Sequence, residues 1–384
     1  MKTKNIYCLM ILIAITMFSI AFWGNNKKNR KDFSIVFEES SINNYLQTYL
    51  ESEFCAVAIS NYEENSIQGE IYDMSLGGNL FVTKALFNYN VESNKLDIYE
   101  YNEKNRILKY YISDNKIYAS VIKDIDIEDN LFNWELVSYD LNFKNKKILN
   151  SGVIVSPFDV PNFYYDDNNN NIFVSTLTDS IVDDIRSQEF SLFYLNNNSI
   201  EKLVSYNGIY SSKTGELSCG QFDIHINNDN LIYCITDYVN YQTIYSFNTL
   251  TKNIKEIYTN DIKSNWIISS YRNNQDLLFI GKYNVLNDDK AKIGYLNLKE
   301  KTYEEIDSTM YYGRNNFIAN SMLFHKSEKW EFYNFDNNTL SAAKIINYKN
   351  KYFFPAYVNI NNNTIMAMDD NYNLFLGKID YNKT

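Results

Sequence analysis

Asp124-Ile125-Asp126-Ile127-Glu128-Asp129 is the first stretch of the chain whose side-chain types and spacing suggest chemistry. Carboxylates at alternate positions could ligate calcium. No glycine follows them, however, and no spaced glutamate completes an EF-hand loop. Asp179, Asp183 and Asp184 form a second acidic group and Asp288-Asp289 a third. Paired carboxylates are what a glycosidase needs. The plainer reading is a solvated acidic loop, and after it a weak attraction for a cation or a basic partner. The two histidines, His225 between Ile224 and Ile226 and His325 after Phe324, fall in apolar strand patterns and read as structural groups or channel-lining polar groups. No Walker loop, dinucleotide glycine fingerprint, HExxH or GxSxG occurs. Cys219 and Cys234 are the one pair that export could oxidise. Placed on a hairpin turning at Asn228-Asp229-Asn230, they stand roughly 13–20 Å out of register, whereas bridged Cα atoms lie within about 7 Å. The expectation is therefore no disulfide, no metal and no cofactor.

These side chains must be positioned by a chain of 384 residues, 45% hydrophobic and 16% aromatic, enough to bury a large core. With 12 glycines and three prolines it is neither collagen-like nor a low-complexity linker. Six of the 36 basic residues fall within residues 1–31, where no acidic residue occurs. Beyond them 47 acidic groups outweigh 30 basic ones. Such a body repels nucleic acid and anionic lipid, so nucleic-acid binding is not expected.

Ile6–Trp23 is an apolar run broken only by Thr16 and Ser19, preceded by Lys2 and Lys4. Eighteen residues of helix span about 27 Å, close to the hydrocarbon thickness of a bilayer. A membrane anchor is the first reading. A signal peptide cleaved after Ser19-Ile20-Ala21 is the second, and it would leave the body secreted. Positive charge on both flanks leaves orientation open. An N-terminal apolar segment usually directs export, which favours an extracytoplasmic body over a cytoplasm-facing one. Phe33–Phe37 then alternates as a strand. Ile42, Tyr45, Leu46, Tyr49 and Leu50 mark one face of a short amphipathic helix, with Ser40 and Ser41 placed to cap it.

From about residue 68 a phrase recurs, a polar turn followed by two apolar or aromatic residues. It reads Gly78-Asn79-Leu80-Phe81, Asn115-Lys116-Ile117-Tyr118 and Asn170-Asn171-Ile172-Phe173. It returns as Asn230-Leu231-Ile232-Tyr233, Asp276-Leu277-Leu278-Phe279, Ser321-Met322-Leu323-Phe324 and Asn363-Thr364-Ile365-Met366. The spacing averages about 48 residues, and each phrase is followed by a second hairpin, the pattern of a β-propeller blade. Asn and Asp replace glycine in the turns, since both tolerate left-handed backbone. The expected fold is all-β: a single propeller of seven blades, six or eight being the alternatives, over residues 68–384. A membrane segment (1–31) and a strand–helix–strand lead-in (32–67) come first. The last repeat lacks a strand, and either Phe33–Phe37 or Phe54–Ile59 is available to complete it.

Asp114-Asn115-Lys116-Ile117-Tyr118 resembles the turn phrase of bacterial extracytoplasmic propellers of the TolB-like and low-density-lipoprotein-receptor-type (YWTD) group, although neither a YWTD tetrapeptide nor a WD dipeptide occurs. The resemblance implies a scaffold for binding. The long connections of blades two to four are Lys123–Asn133, Ser151–Asn162, Thr178–Glu189 and Ser205–Gly220. They offer Asp124, Asp126, Glu128, Asp129, Asp183 and Asp184 beside Trp134, Phe158, Tyr206 and Tyr210. Charge that steers and aromatics that anchor make a binding surface for a basic protein or cell-envelope partner. The rivals are a propeller hydrolase or lyase with carboxylates at the channel mouth, and a purely structural envelope protein.

Overall fold

The computed structural model describes residues 33–381 except 51–54, 64–65, 74–81, 114, 127–130, 156–158, 167–170, 183–184, 197–198, 212–215, 218–223, 228, 238–240, 275–276, 285, 311–315, 319–320, 327–328, 335–338, 347–353, 360–363 and 369–372. The chain opens with β1 (Phe33–Glu39) and the helix α1 (Ile42–Leu50). Sheet one follows: β2 (Cys55–Glu63), β3 (Ser66–Asp73), β4 (Val82–Asn90) and β5 (Lys95–Glu100). Sheet two holds β6 (Arg106–Ile112), β7 (Lys116–Asp126), β8 (Leu131–Asp140) and β9 (Lys147–Ile154). Sheet three holds β10 (Asn162–Asp166), β11 (Asn171–Val182), β12 (Ile185–Asn196), β13 (Ser199–Ser211) and the short β14 (Glu216–Leu217). Sheet four is β15 (His225–Asn227), β16 (Asn230–Asp237), β17 (Tyr241–Asn248) and β18 (Ile254–Asp261). Sheet five is β19 (Trp266–Asn274), β20 (Leu277–Asn284), β21 (Asn287–Asn297) and β22 (Thr302–Met310).

The remaining strands are β23 (Asn316–Ile318), β24 (Ser321–Lys326), β25 (Lys329–Asn334), β26 (Thr339–Ile346), β27 (Phe354–Asn359), β28 (Thr364–Met368) and β29 (Leu374–Tyr381). With β1 they form one eight-stranded sheet, ordered β23-β24-β25-β26-β1-β29-β28-β27. The molecule is an all-β propeller of six sheets, not the expected seven. The reason is β1. It runs parallel to β26 over Phe33–Val36 and antiparallel to β29 over Phe33–Glu39, which fuses the last two repeats into one hydrogen-bonded sheet. The missing strand of the last repeat is therefore supplied by Phe33–Phe37. The other available segment, Phe54–Ile59, lies mostly in β2 and opens sheet one. Sheet one thus begins ahead of residue 68, where the repeats become legible.

First strands of neighbouring sheets lie side by side, β6 against β10, β10 against β15, β15 against β19, and β27 against β2, which sets them around the axis. Between the sheets run apolar clusters. The largest joins sheets two, three and four through Trp134, Leu136, Phe173, Phe190, Leu231 and Phe247. The helix buries only part of the face its spacing marks: Ile42 and Leu46 are fully buried against Val57, Ile67, Met366 and Leu374, whereas Tyr45 of the same face is 44% exposed. Among the described residues no helix is long and apolar enough to cross a membrane. The Ile6–Trp23 stretch lies outside them.

Turn chemistry departs from the expectation in one respect. Asn94, Asn145 and Asn265 do take positive φ, but so do Phe143, Lys252 and Lys301. In the turns at Lys252 and Lys301 the asparagine acts from four residues earlier. The Oδ1 of Asn248 accepts from the amides of Leu250 and Thr251, and that of Asn297 from Lys299 and Glu300. The left-handed residue then closes the turn, Lys252 N donating to the Asn248 carbonyl at 2.9 Å and Lys301 N to that of Asn297 at 2.7 Å. The asparagine side chain organises the turn without itself needing the strained conformation.

Candidate functional site

In each sheet after the first, the second strand begins at the recurring turn phrase, so its length measures how far the hairpin to the third strand projects. Strands β7 and β11 run for 11 and 12 residues, β16 and β20 for eight, β24 for six and β28 for five. Among the described residues, the second strands therefore reach furthest at sheets two and three. Four extra residues amount to about 13 Å of strand. Pairing persists to the tips, Asp126 opposite Leu131 and Val182 opposite Ile185. The next connection is raised as well, Tyr210 and Ser211 of β13 pairing with Leu217 and Glu216. What the sequence suggests as long loops are largely strand extensions.

The predicted site residues sort accordingly. Asp124 and Asp126 lie at alternate positions in β7, in register with Asn133 and Leu131. Tyr206 is 36% exposed on β13, where it pairs with Phe190, and Tyr210 sits at the β13–β14 junction. Glu128, Asp129, Phe158, Asp183 and Asp184 lie outside the described residues. Trp134 is corrected: it is 1% exposed and belongs to the core. A Cβ on its cross-strand partner Gly152 would come within 2.6 Å of the indole ring, so that glycine makes room for it.

The base of the rim is polar and hydrogen-bonded. Buried Asp179 accepts from the Val155 amide at 2.9 Å and from Gln188 Nε2 at 3.2 Å, which ties sheet two to sheet three. Ser180 and Ser187 bond across the ribbon at 2.6 Å. Glu189 accepts from Lys202 Nζ and Ser205 Oγ, both at 2.6 Å, and from Ser191 Oγ at 2.9 Å. Those donors hold its carboxyl at a pKa of about 2. It stays anionic at any physiological pH.

A second polar cluster joins sheets one and two where β6 begins. Glu70 accepts from Thr83 Oγ1 at 2.6 Å, Thr83 Oγ1 in turn accepts from the Ile107 amide at 2.8 Å, and Arg106 Nε stands 3.7 Å from Glu70. Arg106 also lies over the Tyr72 ring at 4.6 Å. Burial pushes the Glu70 carboxyl up to about 7 against the pull of Arg106 and the Thr83 bond. Gln242 repeats the arrangement at the next joint but two. Like Thr83 it is the second residue of a third strand, and its Oε1 accepts from the Ile268 amide at 2.6 Å. Sequence reasoning missed both, and the shared strand position was the signal available. A carboxyl with a raised pKa is one half of a glycosidase pair, but Glu70 faces a guanidinium and a hydroxyl rather than a second carboxyl. Among the described residues no group of three or more His, Cys, Asp or Glu is placed to hold a metal ion. Cys234 is a buried thiol, and Cys219 lies outside the described residues.

No family model matches the chain, the TolB-like and YWTD groups included, and no curated protein matches it in sequence. Solved structures do. The β-propeller domain of the Trilobed protease from Pyrococcus furiosus, described as having an open velcro topology, is 9% identical with a TM-score of 0.53, covering 86% of this chain and 97% of that one. The uncomplexed Pyrococcus horikoshii acylaminoacyl peptidase is 10% identical with a TM-score of 0.51, over 86% of this chain and 53% of that one. This chain thus spans about half the length of that peptidase. Oligogalacturonate lyase from Vibrio parahaemolyticus is 10% identical with a TM-score of 0.43, over 91% of this chain and 98% of that one. At such identities the likenesses show the fold alone: this chain is a β-propeller.

Proposed function

We propose that this propeller is a binding module that receives a basic protein or cell-envelope partner on the raised rim of sheets two and three. The observation that carries the reading is the asymmetry of the rim. A structural propeller has no need to extend β7 and β11–β13 beyond their counterparts, whereas a docking surface gains reach from it. Acidic positions alternate along β7, and an exposed tyrosine stands on β13. Fixed negative charge steers a cationic partner, and aromatic area holds it. The TolB-like or YWTD-like affinity of the turn phrase belongs to this reading, as does a tether formed by Ile6–Trp23 that holds the body outside the cytoplasm.

Replacing Asp124, Asp126, Asp183 and Asp184 with Asn tests the proposal. The variant should capture less of the membrane-derived partner than the wild type while melting at the same temperature. Capture by the wild type should weaken as salt is raised from low to physiological strength. Equal capture by both proteins at every salt concentration would remove the acidic rim from the reading.

A further inference from the structure

Lys282 sits in the joint between sheets four and five, 9% exposed. Its Nζ donates to the Tyr258 hydroxyl at 2.6 Å and stands 4.7 Å from the centre of the Tyr303 ring. The two tyrosine rings are 5.3 Å apart, Tyr258 from β18 and Tyr303 from β22. Among the described residues no carboxylate lies within ion-pair distance of Lys282. The nearby carboxylate, Glu305, is paired with Lys292 at 3.0 Å. Lys292 itself is the direct cross-strand partner of Lys282, so two ammonium groups oppose each other on one sheet face. Beside them the Tyr303 hydroxyl is buried without a hydrogen-bond partner. A buried cation whose nearby carboxylate is paired to another lysine, facing that second cation and next to a hydroxyl without a hydrogen-bond partner, is a costly arrangement for an inert side chain.

We propose that Lys282 is a carbamylation site that takes up carbon dioxide. The neutral amine's lone pair attacks the carbon, an N–C bond forms, and one C=O electron pair moves onto oxygen. The ammonium's surplus proton and one N–H proton leave to solvent, so the balance from the neutral amine is R–NH2 + CO2 → R–NH–CO2⁻ + H⁺. Each cost in the present arrangement is then relieved. The carbamate oxygens accept from the Tyr258 and Tyr303 hydroxyls, and the opposed pair across β20 and β21 becomes one of unlike charge. Burial supports the step by lowering the amine's pKa to about 8, against the pull of Glu305 and with the help of Lys292. At neutral pH roughly a tenth of the amine is then unprotonated, against less than one part in a thousand for an exposed lysine.

The full chain is equilibrated at pH 8 with ¹³C-labelled bicarbonate, alkylated with a trialkyloxonium salt to trap carbamates as esters, and mapped by mass spectrometry. The trapped label is expected at Lys282, well above that at Lys252, an exposed lysine. Tyr303→Phe keeps the amine and removes one donor. It should lower occupancy about tenfold, the value of one hydrogen bond to a charged group. Lys282→Met should abolish the signal with the melt retained. No label at Lys282, label equal to that at Lys252, or undiminished occupancy in Tyr303→Phe would each overturn the proposal.

Discussion

Burial holds the Glu70 carboxyl at about 7 even with Arg106 Nε 3.7 Å away, so desolvation outweighs the ion pair at this joint. The consequence for stability follows from the direction of the shift. Below the unfolded value near 4.5 the group is protonated in both states, and its contribution is fully present. As pH rises towards 7 the unfolded chain ionises first, and folding loses up to about 1.4 kcal/mol per pH unit until the folded group ionises as well. Glu70→Gln keeps an acceptor for Thr83 and removes the titration. Urea unfolding between pH 4.5 and 8 should therefore show a flatter profile for the variant, with the gap largest above pH 7. Parallel profiles would show that Glu70 does not titrate in this window. Crowding at Gly69 gives a second residue-level expectation. A Cβ there would run into the Phe87 ring and come within 2.8 Å of the Ala58 carbonyl. Gly69→Ala should cost about 1–3 kcal/mol by overpacking, read as a lower urea midpoint at unchanged slope.

Helix α1 shows what one polar side chain does for an element. Asn43 is 3% exposed. Its Oδ1 accepts from the Leu374 amide at 2.8 Å, and its Nδ2 donates to the Leu374 carbonyl at 3.1 Å and to Glu39 at 3.3 Å. It satisfies both backbone groups of the first residue of β29, 331 positions away in sequence. Asn43→Ala orphans the Leu374 amide, while the Leu374 carbonyl keeps the Ser40 amide at 2.9 Å, and should cost about 1–3 kcal/mol, visible as a loss of melting temperature. Asn43→Asp keeps the acceptor and should fall between. The helix was legible because Ile42, Tyr45 and Leu46 repeat at helical spacing. Asn43 was not, since nothing local distinguishes a buried asparagine from a solvated one. The hairpins follow the same logic. Six of the recurring phrases open a second strand, while Gly78–Phe81 lies just ahead of β4, a third strand. The phrase was readable because a tight turn needs particular residues. The rim was misread because alternation in Asp124, Asp126 and their neighbours looks alike in a solvated loop and in an extended ribbon. Trp134 went with it, as burial between two sheets leaves no mark in a single strand's sequence.

At the scale of the whole molecule, β1 decides the architecture, and it does so from the far end of the chain. It pairs with β26 on one side and β29 on the other, so that Ile35 stands between Ile345 and Ile379. Closing a contact of that sequence separation is entropically slow but adds little to its final cost, because loop entropy grows only with the logarithm of length. What it returns is the removal of two open edges and the joining of the last two repeats. Sheets one to five hold together by their own local hairpins. The eight-stranded sheet alone depends on a strand from elsewhere, so it should be the part that fails first. Ile35→Pro tests this without shortening the chain. Proline removes an amide from a strand paired on both sides, a position that sheets do not tolerate. Single-tryptophan reporters at Trp134 in sheet two and Trp330 in the eight-stranded sheet should unfold together in the parent chain, as one cooperative ring. In Ile35→Pro the Trp330 transition should move to lower denaturant ahead of Trp134, and the released β26 and β29 edges should promote association at high protein concentration. Coincident, unshifted transitions in the variant would mean that the ring is held by the packing of its inner strands and that β1 is only a cover.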